Sequence, residues 1–105
     1  MRMLMKVSFP VEAGNAAARG GTLGTTVKGI LDDLKPEAAY FTANEFGERS
    51  GYIVFDMKET SQIPAIAEPW FLAFNAKVSF RPVMTPQDFA AAAPGIEQSA
   101  KQFGD

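Results

Sequence analysis

Among its 105 residues the chain has no cysteine and no histidine, and only one tryptophan and two tyrosines. Without cysteine there is no disulfide, no thiolate nucleophile and no thiolate metal site, and a cytoplasmic setting is the compartment that agrees with this. Without histidine the usual general base near neutral pH, the usual zinc and iron ligand and the proximal haem ligand are absent together. A metal site would have to be built from carboxylates alone, so the expectation is a protein with no metal and no cofactor. An excess of basic charge is also lacking: ten Lys and Arg stand against twelve Asp and Glu, for a net charge of -2. The cations are scattered, which argues against a nucleic-acid partner, because phosphate binding needs a basic stripe to displace counterions. Long apolar runs are missing as well. The start, MRMLMKVSFP, is interrupted by Lys6 and stops at Pro10, too short for a signal core or a membrane span, so no membrane association is expected. No Asn-x-Ser/Thr acceptor occurs to support secretion.

What is present is ordinary globular material, 47% hydrophobic and 21% charged. A chain of this length reads as a single domain over residues 1–105, able to bury about 65% of its unfolded surface and so to fold without staples. The clearest stretch is Gly51 to Met84. Ile53, Phe55 and Met57 alternate with Tyr52, Val54 and Asp56, the period-two signature of a strand with one face in a core. Thr60 or Ser61 is placed to cap a helix in which Ile63, Ile66, Ala67, Trp70, Phe71 and Phe74 form one apolar face. Pro64 sits harmlessly in its first turn, Pro69 predicts a kink at Glu68 and Pro69, and Asn75 suits a left-handed helix end. A further strand over 76–83 sets Val78 and Phe80 against Lys77, Ser79 and Arg81.

The remainder follows in order. Met3 to Phe9 alternates as a strand that Pro10 ends. From Val11 to Gly21 helix formers compete with Gly14, Gly20 and Gly21, each worth about 1 kcal/mol against Ala, and the reading is a loose helical turn. Thr22 then caps a helix whose apolar face is Leu23, Val27, Ile30, Leu31 and Leu34, ended by Lys35 and Pro36. Glu37 to Glu45 reads as a strand and Phe46 to Ser50 as the turn of a hairpin. After Met84, Thr85-Pro86-Gln87-Asp88 begins a last helix, with Phe89, Ala92, Ala93, Ile96, Ala100 and Phe103 as its stripe and a break at Pro94 and Gly95. The core thus spans 3–84, and 85–105 is read as a helical lid or strap.

The order strand, helix, strand, strand, helix, strand is that of split βαβ units. The expected fold is α+β and ferredoxin-like, a βαββαβ four-stranded antiparallel sheet with two helices on one face and an extra C-terminal helix. KVSFPV at Lys6 to Val11 is echoed by KVSFRPV at Lys77 to Val83. These are the first and last strands, so the echo is not the mark of a βαβ duplication, but in this topology the two strands are neighbours.

With the apolar sides of all strands under the helices, the other face collects Lys6, Ser8, Lys77, Ser79 and Arg81, with Tyr40, Tyr52 and Asp56 beside them. Leu4 and Val54 lie among them, and two such faces packed together would enclose a cavity with cationic groups, suited to a small carboxylate or phosphate. The plainer alternative is that Lys6 and Lys77 only solubilise the sheet and that Asp56 pairs with a neighbour. Trp70 has two readings: a stacking surface at a pocket mouth beside Glu68, or a core residue within the apolar stripe. GGTLGTT at Gly20 to Thr26 precedes a helix but lacks the lysine of a phosphate loop, and reads as loop and cap. Asp32 and Asp33 read as a solvated face.

The strand and helix pattern over about Met3 to Met84 resembles the dimeric α+β barrel superfamily, in which ferredoxin-like subunits pair sheet to sheet. The resemblance implies a homodimer with a ligand cavity between sheet and helices in each subunit. Proteins similar in this arrangement include muconolactone isomerase, cofactor-independent antibiotic-biosynthesis monooxygenases, haem-degrading monooxygenases and families of unknown function. No family motif matches here, so no catalytic residue is carried over, and the lack of histidine counts against the haem-degrading members. The chain looks closest to the small uncharacterised ones. Two functions follow as expectations. One is a small-molecule-binding protein, with catalysis left open, that takes an anionic or aromatic metabolite through Lys6, Ser8, Tyr40, Tyr52, Asp56, Ser79, Arg81 and Trp70. The other is a non-catalytic homodimeric structural or interaction module whose sheet-to-sheet seam is filled by side chains.

Overall fold

The computed structural model describes all residues, 1–105. Strand β1 (Arg2–Ser8) leads through Pro10 into helix α1 (Val11–Arg19) and helix α2 (Leu23–Leu34). Strands β2 (Ala38–Ala43) and β3 (Arg49–Asp56) form a hairpin, a single 3-10 turn (Thr60–Gln62) opens helix α3 (Ile63–Phe74), and strand β4 (Lys77–Pro82) completes the sheet. Helices α4 (Pro86–Ala91) and α5 (Ala93–Phe103) follow. The sheet order is β2-β3-β1-β4 with every neighbouring pair antiparallel, which is the ferredoxin-like α+β arrangement.

The alternation read from the sequence is the alternation of the sheet. Met3, Met5, Val7, Phe9, Ile53, Phe55 and Met57 are buried under the helices together with Trp70 and Phe74. Phe9, just past β1, stacks on Phe74 at 4.3 Å and on Trp70 at 5.9 Å between ring centroids, and Phe55 meets Phe80 edge-on at 6.2 Å. Such aromatic pairs contribute about 0.5–1.5 kcal/mol each beyond the area they bury. Gly51 serves this layer through its missing side chain: a Cβ there would stand 2.7 Å from the ring of Phe41, which lies across the β3 backbone.

Several local expectations need correction. Residues 11–19 form a regular helix, not a loose turn, and Gly14 is its buried point of contact. A Cβ at Gly14 would meet the Arg49 guanidinium at 2.6 Å, so the residue that weakens helix propensity is what leaves room for the Arg49 side chain against α1, where it donates to Asn15 Oδ1 at 3.1 Å. Thr22 makes no capping bond to α2; its hydroxyl donates back to the Ala17 carbonyl at 3.4 Å. The third helix is capped by neither Thr60 nor Ser61. Glu59 and Gln62 form a reciprocal capping box, with the Lys58 and Glu59 N–H groups donating to Gln62 Oε1 at 2.9 and 3.0 Å. Helix α3 runs through Pro69 as one element from Ile63, and Phe71 is exposed, so the apolar stripe is narrower than its spacing suggests. Asn75 does close it in the left-handed conformation, φ 51°.

The largest departure is at the C-terminus. Residues 85–105 do not fold over the body as a strap. Neither α4 nor α5 contributes a buried residue or joins the core cluster. They project as an arm, giving the molecule extents of 59 × 29 × 21 Å and a radius of gyration of 17.6 Å. A compact chain of this length has a radius of about 13 Å.

Candidate functional site

Residues directly opposite one another in antiparallel strands share a face, so the registers fix the composition of the sheet's open side. One row is Tyr40, Tyr52, Lys6, Ser79; the next is Thr42, Ser50, Ser8, Lys77; on the other flank lie Ala38, Val54, Leu4, Arg81. Lys6 and Arg81 therefore stand on the same side, with no helix over them. The face is a mixture: Leu4, Lys6, Tyr52 and Val54 are half-buried by their neighbours, while Lys77, Ser79, Arg81 and Tyr40 are exposed.

At its centre the two Lys-Val-Ser segments run side by side in opposite directions. Lys6 faces Ser79 and Ser8 faces Lys77, so two ammonium groups occupy one diagonal and two hydroxyls the other. Diagonal positions across a strand pair are about 7–8 Å apart, within reach of two long side chains closing on one small group. A concavity of about 240 Å³ lies on this patch, lined by Lys6, Ser8, Lys77 and Ser79 from the strands and by Asn44, Phe46 and Glu48 from the β2–β3 turn. The turn is held firmly. Asn44 Oδ1 accepts from the Phe46 and Glu48 N–H groups at 2.9 and 3.0 Å, and Gly47 takes the positive φ of 75° that the tight loop requires.

Neither lysine nor Arg81 is in a salt bridge; the ion pairs of the chain are Met1 with Asp56, Arg2 with Glu37 and Lys28 with Asp32. Lys6 Nζ lies 5.8 Å from the Tyr52 ring centroid. Glu48, whose carboxylate accepts from Asn44 Nδ2 at 3.3 Å, is the one acid in the concavity. Two ammonium groups against one carboxylate leave it singly positive.

The remaining residues singled out in the sequence fall as follows. Arg81 is on the same face as Lys6 but one strand repeat beyond Ser79, outside the concavity. Tyr40 and Tyr52 sit opposite each other and form an aromatic shelf leading away from Lys6. Asp56 lies at the C-terminal end of β3, engaged by the Met1 ammonium at 2.9 Å, whose hydrogen bond and charge hold its carboxyl below its ordinary value. Trp70 is fully buried in the core on the opposite side of the sheet, stacked with Phe9, and its Nε1 has no hydrogen-bond partner. It shares no surface with the lysines. Glu68, Asp32 and Asp33 are solvated. No three acidic side chains come together as metal ligands. Lys77 lies in the concavity as the grouping of the open face from the sequence expects, whereas Asn44, Phe46 and Glu48, which complete it, are not among the residues the sequence groups there. The echo of Lys-Val-Ser was the signal for Lys77; nothing local marks a turn that reaches over a neighbouring strand pair.

No curated protein matches the chain's sequence. Among solved structures it is similar to a formyltetrahydrofolate deformylase from Pseudomonas putida KT2440, with a TM-score of 0.50 and 13% identity over 79% of this chain and 29% of that one. A formyltetrahydrofolate deformylase from Burkholderia mallei ATCC 23344 gives 0.46 and 19% over 78% and 28%. The chain thus spans under a third of the length of these enzymes, and the likeness to the first is one of fold. No helix is long and apolar enough to cross a membrane. The family described as a domain of unknown function, DUF3303, matches residues 1–96, and the chain belongs to that family.

Proposed function

We propose that the chain binds a small anionic metabolite on the open face of its sheet. The carboxylate or phosphate sits between Lys6 and Lys77 and takes hydrogen bonds from Ser8 and Ser79, while an aromatic or apolar body lies along Tyr52 and Tyr40. The observation that carries this is the antiparallel juxtaposition of the two Lys-Val-Ser segments beside a turn, with two cations that take part in no salt bridge lining one concavity. Charge-assisted hydrogen bonds of this kind are about twice as strong as neutral ones, and fixed donors on strands keep their geometry. A second copy packed sheet to sheet, as in the dimeric α+β barrels, would turn the open concavity into an enclosed site.

A second reading has its own support. Leu4, Val54, Tyr40 and Tyr52 place apolar area in the middle of the face, and as a dimer seam filled by side chains it would need no ligand. Titration of the intact chain with inorganic phosphate and with benzoate, followed by amide chemical shifts, separates the two. Binding at the concavity shifts the Lys6, Ser8, Lys77 and Ser79 amides, and Lys77→Ala raises the dissociation constant by about tenfold. No response to either anion, or an equal response from the variant, removes the binding reading and leaves the filled seam.

A further inference from the structure

Helix α2 and the β2–β3 hairpin do not close fully on each other. Leu23, Val27 and Leu31 pack toward the core from α2 and none of them is fully buried, while Phe41, on the helix side of β2, keeps 48% of its surface exposed. Between them lies a groove of about 470 Å³, with Phe9 and Phe41 on the sheet side and Leu23, Val27 and Leu31 on the helix side. Small-molecule sites commonly have volumes of about 300–1,000 Å³ and are mostly apolar with a few placed polar groups. From Leu23 to Leu31 the helix wall runs roughly 12 Å, room for an extended apolar chain.

The charges at the groove select the head of its occupant. Lys28 and Asp32, one turn apart on α2, pair with each other at 2.6 Å and cancel. Asp32 is the sole acid in the lining, so Arg49 is left without a counter-ion. The Arg49 side chain is half-buried in the room that Gly14 leaves against α1, and the group it donates to there, Asn15 Oδ1, is neutral. A guanidinium carries five N–H donors in a planar fork that matches a carboxylate, and a charge drawn partly out of water is stabilised by an opposite one. Apolar walls therefore meet one uncompensated positive charge.

We infer that this groove is a second ligand site, for a small amphipathic carboxylate whose apolar chain lies between α2 and the sheet and whose head is held by Arg49. It is separate from the lysine concavity. Arg49 and Phe41 share the helix side of the sheet with Gly51 and Ile53, whereas Lys6, Ser8, Lys77 and Ser79 line the open side. The inference therefore does not rest on the open-face reading. The two sites also ask for different molecules: two ammonium groups and two hydroxyls answer to a compact anion, while the groove needs an apolar chain with a single negative charge at its end.

The full-length chain is titrated with octanoate, octanol and octylamine and followed by amide chemical shifts. Octanoate is expected to move the Val27, Leu31, Phe41 and Arg49 amides, octanol to move them at higher concentration, and octylamine to leave them in place. Arg49→Met keeps an unbranched side chain and removes the charge; it is expected to raise the octanoate dissociation constant about tenfold and to leave the octanol response unchanged, which reports an intact groove. Equal octanoate affinity in the variant, an equal loss for octanol, or binding of octylamine as tight as that of octanoate overturns selection by Arg49. Octanoate shifts confined to Lys6, Ser8, Lys77 and Ser79 assign the anion to the open face and overturn the groove site. Inorganic phosphate, which has no chain, reports the open face alone, so each site can fail without the other. Nuclear Overhauser contacts from Val27 to Phe89, Ile96 or Phe103 in the ligand-free protein would put the C-terminal arm in the groove and overturn the inference as well.

Discussion

The two faces of this sheet are made by the same strands from alternate residues, and they have opposite fates. On one, Met5, Val7, Ile53 and Phe55 are at most 1% exposed beneath α3. On the other, one residue along in each strand, Lys6, Tyr52 and Val54 are half-covered by neighbours alone, and Tyr40 is 70% exposed. The first face explains why the chain folds. The second holds its cations and tyrosines on strands with no helix above them, and folding makes no demand on it for burial. The buried core and the open face are separated by a side-chain parity, so the two can be changed almost independently.

The comparison breaks hardest at the tryptophan. Trp70→Ala removes the ring on which Phe9 and Phe74 stack, and is expected to cost about 3–5 kcal/mol in urea unfolding. Trp70→Phe keeps most of the packing and deletes the unpartnered Nε1, so its cost should fall well below that. A comparable loss from both would mean that the indole N–H does find a partner.

Next in size is Gly51→Ala. Its new Cβ would crowd the Phe41 ring and Val7, an overpacking worth about 1–3 kcal/mol, and Phe41→Leu in the same chain should recover part of it. Additive losses in the double variant would show that the two positions do not share space.

On the open face the expected effect is small. Tyr40→Ala should change the stability of the dilute chain by no more than about 0.5 kcal/mol. The same variant measured at rising protein concentration sharpens the contrast: a cost that grows with concentration reports a second copy covering the face, and a flat series reports bare solvent.

The smallest effect concerns the arm and acid. Asp88 Oδ2 accepts from the Thr85 N–H at 2.9 Å while the Thr85 hydroxyl accepts from the Asp88 N–H at 3.1 Å. The hydrogen bonds from Thr85, backbone first and then side chain, hold the Asp88 carboxyl below its ordinary value. A carboxyl whose folded pKa is depressed stabilises its helix above its unfolded value and loses that contribution as the pH falls through the lower, folded one. The first turn of α4 should therefore fray on acidification below the ordinary carboxylate range, seen as exchange of the Phe89 amide, and Asp88→Asn should remove that dependence.

What was readable in advance follows the same division. The alternation of β1, β3 and β4 and the left-handed Asn75 were legible because each depends on the backbone and nearest neighbours. Helix α1 is weak in the sequence because Gly14 carries a propensity cost, while the Arg49 side chain it accommodates is far along the chain. Glu59 does not stand out as a cap in the sequence because the neighbouring hydroxyls of Thr60 and Ser61 are the commoner cap groups, and the box through Gln62 depends on a 3-10 turn that no periodicity reveals. The arm reads as a strap in the sequence because an apolar stripe says that a helix must be covered and is silent on what covers it.

Consecutive residues alone dictate which side chains travel together, apolar ones to one environment and cations to the other, since a strand's pleat is a property of successive bonds. Long-range packing settles that Lys6 meets Ser79 and Ser8 meets Lys77, that the turn at Asn44 lines the same concavity, and that Trp70 lies on the far side of the sheet. Pairing joins residues from opposite ends of the chain, and which ends meet is settled by how the helices must pack to bury the shared apolar face, which no single stretch contains.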